Sequence, residues 1–111
     1  MPNPAMMNEQ SPKILHFLGL VDIYLSLGKP AIYTVEPDID ENYRPDAYCR
    51  LGDFGPTLIE LQRSTISKRK MQEKVNGFVL TYQKKKHDAK TLLIYTDKPY
   101  SLDVPYGFQI V

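Results

Sequence analysis

The chain has no tryptophan, one cysteine (Cys49), two histidines and only six glycines. A lone cysteine excludes an intramolecular disulfide and a cysteine-rich zinc site. His16 and His87 lie far apart in sequence without the spacing of metal ligands, and each is expected as a surface or helix-face residue. No apolar run approaches the roughly 18 residues that span a bilayer. The opening MPNPAMMNEQSP carries neither the basic nor the apolar region of a signal peptide. The expectation is a cytoplasmic protein without a membrane partner. Internal repeats and low-complexity linkers are also lacking.

What remains is globular in character, with 42% apolar and 24% charged residues. A chain of 111 residues makes one domain, 1–111, long enough to bury roughly two thirds of its unfolded surface. The net charge of +1 conceals segregation. Residues 36–60 carry seven acids (Glu36, Asp38, Asp40, Glu41, Asp46, Asp53, Glu60) against Arg44 and Arg50. Residues 63–90 carry nine bases (Arg63, Lys68, Arg69, Lys70, Lys74, Lys84, Lys85, Lys86, Lys90) against Glu73 and Asp88. An acidic patch followed by a basic one suits a cation site beside a polyanion-binding surface. A solvated helix face is the other reading of the same charges.

Residues 1–10 read as a flexible arm, and Ser11-Pro12 as the start of a helix that Gly28 ends. Ile14, Phe17, Leu18, Val21, Tyr24 and Leu25 recur at three and four, which makes them its expected packing face, with Lys13, His16, Asp22 and Ser26 opposite. Strands are expected over 30–35, 44–51 and 57–62, the last two joined as a hairpin by Gly52-Asp53-Phe54-Gly55-Pro56. Alternation then places Glu60 and Gln62 on one face and Leu61 on the other. A second helix over 67–82 has Met71, Val75, Phe78, Val79 and Tyr82 as its apolar stripe. Lys84-Lys85-Lys86 ends it, complementing the helix dipole. Residues 91–96, TLLIYT, form a buried, central, parallel strand, and 106–111 a short edge strand. The class is α/β or α+β, in the order αβββαβ, a mixed sheet flanked by helices.

Asp46 and Glu60, on paired strands, would supply two carboxylates to a hard ion such as Mg²⁺ or Mn²⁺, with the Leu61 carbonyl as a further donor. Such an ion polarises a phosphodiester and activates water. Arg63, Lys68, Arg69, Lys70 and Lys74 follow directly and would hold a DNA backbone without reading sequence.

Within this element order, Pro45-Asp46, thirteen residues, then Glu60-Leu61-Gln62 resembles the PD-(D/E)xK nuclease superfamily. More narrowly, RPDAYCRL, then LIELQRST, then a helix with Lys74 and Phe78 at K-x-x-x-F/Y spacing, is similar to the replication-relaxation family of plasmids and other mobile elements. The resemblance covers about residues 12–97 and implies a restriction-endonuclease-like fold. It implies Asp46 and Glu60 as metal-binding acids, with Gln62 in the place of the lysine, so that Asp46, Glu60 and Gln62 form the catalytic set. A neutral amide orients water but cannot take its proton. Some restriction enzymes of the superfamily use Glu-x-Gln, and in other members the lysine migrates to the following helix, which here names Lys70 or Lys74. The superfamily's acid on the first helix has no clear counterpart, since Glu9 precedes the expected helix start and Asp22 lies near its end.

The functions implied are a DNA-binding domain in mobile-element replication or mobilisation, or a Mg²⁺- or Mn²⁺-dependent endonuclease. A protein-interaction module without DNA affinity, pairing acidic loop with basic helix between subunits, is the alternative from another class. The partners are correspondingly DNA, replication or mobilisation proteins, or a second copy in a homodimer.

Overall fold

A computed structural model describes residues 4–52, 54–62, 64–96 and 99–111, residues 4–12 by their backbone alone. The elements run α1 (Pro4–Ser26), β1 (Tyr33–Val35), β2 (Ala47–Leu51), β3 (Gly55–Leu61), α2 (Lys68–Gln83), β4 (Thr91–Tyr95) and β5 (Gln109–Ile110). The protein is therefore α+β, with a five-stranded mixed sheet and two helices. The strands lie in chain order.

β1, β2 and β3 form an antiparallel meander, and the β2–β3 hairpin closes with Leu51 opposite Gly55. β4 then returns parallel to β3, and β5 parallel to β4. The apolar run 91–96 thus takes the interior, parallel place expected of it.

Successive residues of a strand face opposite ways, and β3 divides the core on that basis. Leu58 packs with Val75, Phe78, Val79 and Leu92 on the α2 side. Ile59 packs with Leu20, Ile23, Ala47, Cys49 and Leu93 on the α1 side. α2 is capped by Ser67, whose hydroxyl accepts from the Lys70 N–H, and buries Met71, Val75, Phe78 and Val79 of the stripe read from its periodicity, with Tyr82 only partly buried. Phe78 is fully buried, and truncating such a residue to alanine removes about 3–5 kcal/mol.

α1 departs from expectation twice. It begins at Pro4 rather than Ser11, so residues 4–10 are helix and not an arm. Ala5, Met6, Met7, Glu9 and Gln10 favour helix, and Pro4 in the first turn loses nothing. The helix continues through Pro12, which forfeits one main-chain hydrogen bond.

The buried face also differs. Leu20 and Ile23 are in the core with Leu27 packed beside them, whereas Ile14, Phe17, Leu18 and Leu25 of the expected packing face are exposed. The 3.6-residue period was present, but the helix carries two apolar stripes, and the shorter one meets the sheet. Gly28, at φ 81°, ends α1 as expected, with the Lys29 N–H reaching back to the Tyr24 carbonyl.

The strands are shorter than their sequence spans. β1 covers only 33–35 and β5 only 109–110, both at sheet edges where one ladder alone holds them. No helix among the described residues is long and apolar enough to cross a membrane.

Candidate functional site

Asp46 lies immediately before β2, opposite the end of β3. Its backbone N–H donates to the Ile59 carbonyl at 2.9 Å, which fixes the residue beside the neighbouring strand. One carboxylate oxygen accepts from the Leu61 N–H at 2.6 Å. The other is 2.8 Å from His16 Nε2. An acid placed so that both oxygens are engaged is oriented by the main chain of β3 and by a side chain of α1.

Glu60, one residue before Leu61, points to the opposite layer. Its carboxylate is 2.7 Å from Lys74 Nζ, and its side chain is only 6% exposed against 36% for Lys74. Glu60 is therefore not a solvent-facing strand residue. Burial pushes its carboxyl pKa up, the hydrogen bond from Lys74 pulls it down, and the nearby Asp46 charge pushes it up again, for a net rise. Tyr43, buried in the same region, has its phenol pKa raised, first by burial and then by Glu60 and Asp46.

Both acids line one open groove of about 1000 Å³ at the end of β3, with Lys13, His16 and Phe17 from α1, Val35 and Glu36, then Gln62, Ser64 and Lys74. Gln62 does not aim at the acids. Its amide donates to the Ser64 carbonyl at 3.0 Å and lies 3.4 Å from the Ser64 hydroxyl. The Gln62 N–H still donates to the Tyr95 carbonyl at 2.8 Å, and Gln62 lines the same groove as Glu60, as alternation leads one to expect, but its amide is turned to Ser64.

A smaller cavity of about 370 Å³ shares Glu60 and Lys74 with the groove and adds Tyr43, Arg44, Lys70 and Glu73. Lys68, Arg69 and Lys70 are exposed along the first turn of α2. Arg69 makes an exposed pair with Glu73 at 3.7 Å, which is worth little in water. Arg63 lies outside the described residues.

The sequence thus brings Asp46, Glu60 and Lys74 to one groove, and leaves Gln62 on its rim. His16 was missed. It was assigned to the outer side of the first helix, yet it falls one turn before Leu20 on the inner side. The spacing 16, 20, 23, 27 was the available signal. His87 is half-buried rather than free on the surface. It stacks on Phe78 with ring centres 5.4 Å apart.

A resident divalent ion requires free carboxylate oxygens converging on one point. Asp46 is held from the α1 side by His16, and Glu60 from the α2 side by Lys74, whose ammonium already neutralises it. No group of three or more His, Cys, Asp or Glu able to hold a metal is found among the described residues. The donors as arranged do not fit such an ion.

No family model, curated protein or solved structure matches the chain.

Proposed function

We propose that the chain is a cytoplasmic DNA-binding domain of nuclease-like fold, acting in replication or mobilisation of a plasmid or other mobile element. The biological setting rests on the resemblance of RPDAYCRL (44–51), LIELQRST (58–65) and the Lys74/Phe78 spacing to the replication-relaxation family. The binding itself rests on one observation, the placing of Lys68, Arg69 and Lys70 in the first turn of α2, with no acid there. Positive charge at a helix N-terminus opposes the dipole and costs about 0.3–1 kcal/mol per residue. Folding does not favour bases at that end. A phosphate backbone does, since each base that meets a phosphate releases a counterion.

The test is fluorescence anisotropy with duplex and single-stranded DNA over a salt series, comparing the protein with Lys68→Ala/Arg69→Ala/Lys70→Ala. Loss of three phosphate contacts reduces the slope of log affinity against log salt by about 3. Binding that is absent at low salt, or a slope that the triple variant leaves unchanged, sinks the proposal. Lys74 is left out of the variant because it holds Glu60.

A Mg²⁺- or Mn²⁺-dependent endonuclease is the second reading. The approach of Lys74 from α2 to Glu60 favours it, because the resemblance allows the lysine to come from that helix instead of from Gln62. It requires Asp46 and Glu60 to release their present partners. Plasmid cleavage with either metal that disappears in both Asp46→Ala and Glu60→Ala would support it, whereas cleavage indifferent to both indicates a contaminant.

A further inference from the structure

α1 has more apolar surface than one sheet can cover. Its inner stripe, Leu20 and Ile23 with Leu27, is used by the core. Ile14, Phe17, Leu18 and Leu25 nevertheless remain 46%, 56%, 49% and 52% exposed. With the partly buried Val21 and Tyr24, they follow the 3-4 spacing of a helix-packing seam, about 135° round the helix from the inner stripe. The face continues to Val35, 39% exposed, which lines the groove together with Phe17.

From this we infer that the outer face of α1 is a self-association surface, on which the same face of a second copy docks as a helix pair. The inference stands apart from the DNA reading. The four half-exposed side chains, with the edges of Val21 and Tyr24, expose roughly 400 Å² of contiguous apolar surface, within the range of the largest patch on a monomer, which is often functional. Two such faces set together remove at most about 800 Å², to which their polar borders add, the size of a weak, reversible interface rather than a permanent one. A seam of one spacing is complementary to itself, because knobs from one copy enter holes made by the same residues of the other. That is the requirement of a two-fold interface. Without a buried aromatic or arginine anchor held in a pocket, such a seam fits a weak, concentration-dependent dimer, its affinity set by the packing of the seam and not by area.

The test is sedimentation equilibrium of the whole chain in about 0.5 M salt, where charge pairing is screened and apolar contact is not. Wild type is expected as a dimer at about 100 μM that dissociates on dilution. Phe17→Glu/Leu18→Glu is expected to weaken association at least about 100-fold, because two unpaired charges enter the seam. Both residues are exposed, so circular dichroism and thermal midpoint should hold. A second variant uses the burial of Cys49, the only cysteine. Leu18→Cys, near the centre of the stripe, should form a disulfide-linked dimer under mild oxidation, and Lys86→Cys should not. A wild type that stays monomeric at the higher concentration, a dimer that the Glu variant leaves intact, or equal cross-linking of the two cysteine variants each overturns the inference. So does a monomer that binds neutral lipid vesicles through Phe17 and Leu18, which would assign the face to a bilayer surface.

Discussion

Lys74 Nζ lies 2.7 Å from Glu60 Oε1, joining a nearly buried carboxylate on β3 to a half-buried ammonium on α2. The two ends of this pair are not equivalent. Lys74 can swing toward water when its partner is removed, and Glu60 cannot. Lys74→Met should therefore cost about 2–3 kcal/mol, below the 3–5 of a fully buried pair because the lysine keeps a third of its side-chain surface in solvent. Glu60→Gln should cost clearly less. Urea unfolding at neutral pH measures both, and equal losses would show that the burial of Glu60 is not the controlling term.

Asp46 ties the start of β2 to the end of β3 through the Leu61 N–H. Asp46→Ala removes the acceptor and leaves that donor half-buried, a loss of about 1–3 kcal/mol. Asp46→Asn keeps a carbonyl oxygen for Leu61 and should retain most of the stability. The amide exchange rate of Leu61 checks the local effect: it should rise in the Ala variant and change little in the Asn variant.

Gly77 is a close-approach glycine. A Cβ built there would come within 2.9 Å of the Tyr43 ring, and Tyr43 is buried against the α2 core. In an exposed helix Gly→Ala gains about 1 kcal/mol. Here Gly77→Ala should instead destabilise by about 1–3 kcal/mol, because a ring in a packed core must shift. A rise in thermal midpoint would show that Tyr43 relaxes freely.

His87 is poised to remain neutral. The Ala89 N–H donates to its Nδ1 at 3.1 Å, so the proton sits on Nε2, 2.9 Å from the Phe78 carbonyl. Burial lowers its pKa below the ordinary value, against smaller opposing effects of the Phe78 carbonyl and Asp88. A depressed histidine binds fewer protons folded than unfolded, so its contribution is fully present above the unfolded value of about 6.5 and lost as pH falls through the folded one. Glu60, with a raised pKa, acts in the opposite sense as pH rises. The difference in urea midpoint between wild type and His87→Gln isolates the histidine, and that difference should shrink from pH 7.5 to pH 5.

Much of the fold was legible because its signals are local. Ser67 caps a helix whose apolar period ends in a lysine run, Gly28 stops another, and the apolar segment at 91–96 admits only an interior strand. The hairpin that brings Asp46 opposite the end of β3 followed from turn residues and spacing. The buried face of α1 did not follow, because two stripes of similar hydrophobicity compete and only the sheet's position chooses between them. That single ambiguity hid His16, which belongs to the chosen face. Gln62 keeps the groove face expected of it, but the turn of its amide toward Ser64 was not legible, since no local signal ties the two side chains. Lys74 was read as a phosphate-holding base and, through the resemblance, as one of two candidate lysines, but nothing local says that it would reach back to Glu60.

The sheet changes its mode of pairing at β3, antiparallel toward β2 and parallel toward β4. A hairpin joins its strands over a few residues, while the parallel return must first close a loop containing all of α2, which makes the meander quick to form and the second half slow. The groove straddles that boundary. Its Asp46–Leu61 bond belongs to the meander, and its Glu60–Lys74 bond exists only after α2 has docked. The groove is therefore closed only once α2 has docked, and before that Glu60 would stand as an ordinary, solvated carboxylate.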